Sequence, residues 1–142
     1  MTKLTLDLAS TIVDTALATA NEMKLKPMSV AVLDAGGHLI AFKKQDNSSL
    51  MRFEIAFGKA WGAVGLGRSS NAIAKLAVDY PHFVTSMMSA SGGRVVPIQG
   101  GILVRSSSGK VLGAVGVSGD TSQNDEVCAV AGVKAAGLEA EV

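Results

Sequence analysis

Aromatic side chains are scarce in this chain: they make up 4% of its 142 residues, with a single tryptophan and a single tyrosine. A core with so few large rings is packed by the close approach of small residues, and the 16 glycines fit that. Cysteine is nearly absent, with Cys128 alone. One thiol excludes an intrachain disulfide framework and a multi-cysteine metal site. It agrees with a reducing cytoplasm. Charge is sparse too, at 18% of residues and a net +1. No Lys/Arg cluster runs along one face, which argues against nucleic acid as a partner, since phosphate contacts need concentrated positive charge. There is no basic-then-apolar leader and no run of roughly 18 apolar residues. No membrane partner is therefore expected, and the expected localisation is cytoplasmic.

What is present is apolar. Hydrophobic residues make up 48% of the chain. The length fits a single domain over residues 1–142 that buries its own core without staples. Apolar residues in excess of charge favour a homo-oligomer, the alternative being a monomer with a well-filled core.

The stretch Ser29-Val-Ala-Val-Leu-Asp-Ala-Gly-Gly-His-Leu-Ile-Ala-Phe42 predicts a hairpin with a glycine turn over Asp34–Gly37. A near-echo runs from Gly101 to Ser118, turning at Ser107-Ser108-Gly109. The strand Val111–Val117 is apolar at nearly every position and is expected to be central. Its Gly113 and Gly116 would let a helix or a neighbouring subunit approach closely. Pro97 makes Val95–Ile98 a short extended piece. Helical spacing predicts a first helix from Thr5, an N-cap, to about Lys24–Lys26 before Pro27. A second, capped by Ser48 or Ser49, breaks near Gly65–Gly67, and a third runs from Ser69 or Ser70 to Val78. Pro81 opens a further turn or two, and Gln123–Leu138 forms the last helix. The expected fold class is α+β: an antiparallel sheet of about five strands, two hairpins plus a short strand, with helices packed on it.

The hairpin Ser29–Phe42, then Gly58-Lys-Ala, Pro97-Ile-Gln-Gly-Gly, Gly113-Ala-Val-Gly-Val-Ser-Gly-Asp and Gln123-Asn-Asp-Glu-Val-Cys-Ala together resemble the GlcG/HbpS-like family. That family is also similar to the C-terminal domain of PduO-type proteins. The five motifs are collinear over nearly the whole chain. The resemblance implies a profilin-like α+β fold and higher homo-oligomers. Haem binding or haem degradation belongs to some members, and metal or corrinoid association to others, so haem is the candidate cofactor.

His38, just after the first turn, is a candidate haem or metal ligand through a neutral imidazole nitrogen, or else a turn histidine satisfied locally. His82 reads as structural. Asp34 is expected to bond nearby backbone N–H groups. Arg52 and Lys59 lie seven apart, on one helix face with Ile55 and Ala56 between them. Two cations bordering apolar surface suit a carboxylate-bearing ligand, unless their stems merely snorkel. Arg68-Ser-Ser-Asn could form an anion cup or an ordinary cap. Arg94 could meet a carboxylate, and the Gly100-Gly101 bend could bring backbone close to a ligand. Asp125 and Glu126 either complete a helix start or act as general base or hard-metal ligand. Cys128 is expected to be a buried, inert thiol.

Three functions are compatible with these residues. The first is an oligomeric protein binding a carboxylate-bearing small molecule, haem included, at a subunit boundary, with Arg52, Lys59 and the Gly100-Gly101 bend as anchors. The second is a small enzyme acting on an organic acid or reactive carbonyl, with Arg52 and Lys59 binding the acid and Asp125 or Glu126 transferring a proton. The third is a sensory or partner-binding module.

Overall fold

Both glycine-turn hairpins form, and they sit side by side in one sheet. The computed structural model describes residues 3–142. In chain order the elements are α1 (Leu6–Glu22), β1 (Ser29–Asp34), β2 (Leu39–Lys44), α2 (Arg52–Leu66), α3 (Ser70–Asp79), α4 (Pro81–Ala90), β3 (Gly101–Arg105), β4 (Val111–Ser118), α5 (Ser122–Ala135) and β5 (Glu139–Glu141). The antiparallel sheet has the order β2-β1-β4-β3-β5, so the apolar strand β4 is central as expected. Among the described residues no helix is long and apolar enough to cross a membrane.

Alternation along the strands sends side chains to two different layers. Val30, Val32, Ile102, Val104, Val115 and Val117 join one core with α1 (Ala9, Ile12, Val13, Ala16) and α5 (Cys128, Ala129, Val133). Leu33, Leu103 and Ala114 face the other layer, where Ala60, Ala63, Phe57 and Trp61 of α2 cover them. The small residues are what allow this. A Cβ on Gly116 would run into the carbonyl oxygen of Ala56, so its glycine is the contact point of β4 with α2. α3 packs beside α2, and α4 packs against α3.

Local signals account for most boundaries. The Thr5 hydroxyl accepts the Leu8 N–H at 3.2 Å and starts α1. Gly67, at φ 68°, ends α2 where the glycine run predicts a break. Ser69 caps α3 through the Ala72 N–H. Pro81 occupies the first turn of α4.

Three boundaries differ from expectation. Neither Ser48 nor Ser49 caps α2; Met51 stands there without a side-chain bond, and the Ser49 hydroxyl instead accepts from Arg52 Nε at 3.0 Å. Val95–Ile98 is not a strand, because it lies against α2 rather than along the sheet, with the Val96 N–H donating to the Gly58 carbonyl at 3.2 Å. The fifth strand is β5. The last helix stops at Ala135, Gly137 turns at φ 74°, and Glu139–Glu141 pairs with β3. Arg105 Nε donates to Glu141 Oε1 at 2.6 Å across that pairing.

Candidate functional site

Most of the residues singled out in the sequence fall into two groups at opposite ends of the sheet. Ser29 of β1 pairs with Ser118 of β4 at one end, and Asp34 pairs with Gly113 at the other. Five residue steps at ~3.3 Å each put these ends roughly 17 Å apart.

At the first end, α2, β4, α5 and the Gly100-Gly101 bend converge. Lys59 sits among the alanines on the buried face of α2 and is 2% exposed. Its Nζ donates to the Val117 carbonyl at 2.8 Å and to Asp125 Oδ2 at 3.2 Å. Asp125 Oδ1 accepts the Asp120 N–H at 2.9 Å. Burial lowers the Lys59 pKa, opposed by the Asp125 carboxylate, and the same burial raises the Asp125 pKa against the attraction of Lys59. Gly100, at φ +126°, fits over the ammonium: a Cβ there would lie 2.8 Å from Nζ. Gly101 is clamped by Ser70, whose Oγ accepts its N–H at 2.7 Å.

Arg52 belongs to the same end. Its Nη1 donates to Ser118 Oγ at 2.9 Å, and its charge adds to the lowering of Lys59. Gln99 Nε2 donates to Glu126 Oε1 at 3.0 Å, and Glu126 Oε2 is buried without a hydrogen-bond partner. The structure thus brings together Arg52, Lys59, Gly100, Gly101, Asp125 and Glu126. It does so as a packed polar cluster. Lys59 and Asp125 face each other instead of an opening. Thr121 caps α5 through the Asn124 N–H at 3.2 Å, while Asp125 serves both the chain just before the helix, through Oδ1, and the lysine, through Oδ2.

At the opposite end lies a cavity of about 550 Å³ between residues 3–6, the first hairpin turn and the start of β4. Leu4, Leu6, Ile40, Val111 and Leu112 supply apolar wall, and Lys3, Thr5, Asp34, His38 and Lys110 supply the polar part. Arg52, Lys59, Arg94, Gly100 and Gly101 are not among its lining residues.

His38 is an exposed ring held from one side. Asp34 Oδ1 accepts the His38 N–H at 2.9 Å and the Gly36 N–H at 2.9 Å, and lies 3.2 Å from His38 Nδ1. Those backbone bonds, that of His38 foremost, hold the Asp34 carboxyl below its usual pKa, so it stays an acceptor. In a neutral ring, a carboxylate against Nδ1 favours the tautomer with the proton there, which leaves the Nε2 lone pair open. The turn bonding expected of Asp34 and the ligand reading of His38 are therefore compatible. Lys3 and Lys110 escaped sequence reasoning because their proximity to His38 depends on tertiary packing: of the segment before α1 for Lys3, and of the second hairpin against the first for Lys110.

Arg94 joins neither group. Its guanidinium lies over the Trp61 ring, 5.3 Å from the centroid. His82 is exposed, and its carbonyl accepts from Ser86 Oγ at 2.7 Å. Arg68 is exposed, and the serines after it are used internally. Cys128 is buried, and burial pushes its thiol up to about 11. Among the described residues no group of three or more His, Cys, Asp or Glu side chains could hold a metal ion.

Comparison with known proteins adds to this geometry. The family model described as haem degrading protein HbpS-like matches residues 4–134. A 15.0 kDa protein from the dhaT-dhaS intergenic region of Citrobacter freundii is 31% identical over 103 residues, 72% of this chain and 71% of that protein. A PduOC:haem complex superposes with a TM-score of 0.87 over 99% of each chain at 22% identity, a likeness of fold. The ORFY protein of Klebsiella pneumoniae superposes with a TM-score of 0.86 over 96% of this chain and 92% of that one, at 25% identity.

Proposed function

The chain belongs to the HbpS-like family, and from that premise we propose that it binds a carboxylate-bearing small molecule, haem, at His38. The single observation that carries this is the imidazole of His38, 3.2 Å from Asp34 Oδ1 on the rim of the 550 Å³ cavity. The donor set suits haem better than a bare ion. The macrocycle brings four nitrogen ligands of its own, so one protein imidazole suffices as an axial ligand. The apolar wall of Leu4, Leu6, Ile40, Val111 and Leu112 suits a flat hydrophobic face. Lys3 and Lys110 are the cations on that cavity, and carboxylates of the ligand pair with them. Bound haem would supply an iron whose reactivity is tuned by its axial ligand. The protein's part is to orient His38, keep its Nδ1 protonated through Asp34, and keep water from the apolar wall.

Titration with ferric haem tests this directly. The expected result is a saturable Soret shift at one haem per chain, lost or displaced in His38→Ala. A porphyrin dimethyl ester, which lacks free carboxylates, is expected to bind at least about tenfold more weakly through loss of charge-assisted bonds. An unchanged Soret band in His38→Ala would count against His38 as ligand.

The exposed apolar side chains Leu50 (94%), Val78 (80%) and Tyr80 (62%) support self-association. We read the protein as a homo-oligomer accordingly, and sedimentation at micromolar concentration should find a species larger than one chain. For the alternative, an enzyme using Asp125 or Glu126 as base, the orphaned Glu126 Oε2 is the observation in favour. The burial of Asp125 weighs against that residue as the base.

A further inference from the structure

A separate hollow of about 220 Å³ lies between the C-terminal parts of α2 and α4, lined by Trp61, Gly65, Leu66, Met87, Ala90 and Val95. A cavity of roughly 150 Å³ lined by aliphatic and aromatic side chains takes up benzene. This one therefore has room for one six-membered ring and a small substituent. Its wall is the chain's only indole and a methionine, surfaces that favour an aromatic guest over an aliphatic one. Ser91, the hydroxyl residue of the lining, is satisfied within the protein. Its Oγ donates to the Met88 carbonyl at 2.9 Å and accepts the Val95 N–H at 3.2 Å. The hollow thus asks for no hydrogen bond from its occupant.

A cation stands on Trp61, one wall of the hollow, without itself lining it. The Arg94 guanidinium is held over the Trp61 ring at 5.3 Å, is exposed, and makes no ion pair among the described residues. The α4 wall can yield. Val84 is its only buried residue and α3 its main packing partner. We propose that this hollow is a binding site for a small monocyclic aromatic carboxylate, its ring against Trp61 and Met87 and its carboxylate paired with Arg94.

The single tryptophan gives one indole N–H resonance to follow by NMR. Benzoate and phenylacetate are expected to shift it saturably, at least about tenfold more tightly than benzyl alcohol. Arg94→Gln should remove that preference and leave benzyl alcohol unchanged. Ala90→Phe, at an exposed position, should fill the hollow and abolish both, with the circular dichroism of each variant checking the fold. His38→Ala should bind benzoate as the parent protein does, which separates this site from haem binding. Equal shifts by benzoate and benzyl alcohol, or benzoate binding unchanged in Arg94→Gln, would overturn the proposal.

Discussion

Lys59 occupies the most demanding position in the protein. An ammonium and a carboxylate taken out of water together must be matched to each other, because removing one strands the other. Lys59→Met should cost about 3–5 kcal/mol in chemical denaturation, and Lys59→Met with Asp125→Leu should cost much less than the sum of the single changes. Additive losses would mean the two side chains do not act as a pair. Asp120 gives a pH signature. The Asn124 amide, then the N–H groups of Lys26 and Thr121, hold its carboxyl at about 2 instead of 3.8. The folded-state value lies below the unfolded one, so this stabilisation is complete above about pH 4 and fades as pH falls toward 2. Melting temperature should therefore drop over that window, and Asp120→Asn should flatten the drop. At this scale the sequence was informative where partners are near in the chain. Asp34 with His38 and Thr5 with Leu8 are each within four residues. Lys59 and Asp125 are 66 residues apart, and only the packing of α2 and α5 around β4 brings them together.

The elements were legible for the same reason. Glycine turns, Thr5, Ser69, Pro81 and Gly67 are local devices, and each acts where it stands. Val95–Ile98 misled because apolar β-branched residues suit a strand and equally suit packing on a helix, and α2 won. β5 was hidden because Glu-Ala-Glu carries no strand pattern; the edge of β3 and the bridge to Arg105 make it one. The tight contact of β4 with α2 leads to a clear expectation. Gly116→Ala should destabilise by about 3 kcal/mol or more, read from denaturant unfolding, because a backbone carbonyl rather than a flexible side chain opposes the added methyl. α4, with one buried residue, should exchange its amide protons far faster than β4, which is buried almost throughout.

For the molecule as a whole, the sheet separates two chemistries. Pairing of β1 with β4 sets the Lys59–Asp125 cluster at one end and the His38 cavity at the other. A sequence read one segment at a time makes Arg52, Lys59 and the Gly100-Gly101 bend the ligand anchors and leaves His38 unplaced relative to them. The strand direction sets His38 apart from them, and Lys3 and Lys110 take the place beside His38. Arg52→Ala should accordingly lower stability while leaving haem affinity within about twofold, the exposed-charge effect expected at long range. The most direct measurement is imidazole rescue. In His38→Gly the Soret band should move away from its parent position, and added imidazole should return it, because the imidazole takes up the vacated place beside Asp34. A His38→Gly protein whose haem spectrum already matches the parent without imidazole would contradict the account.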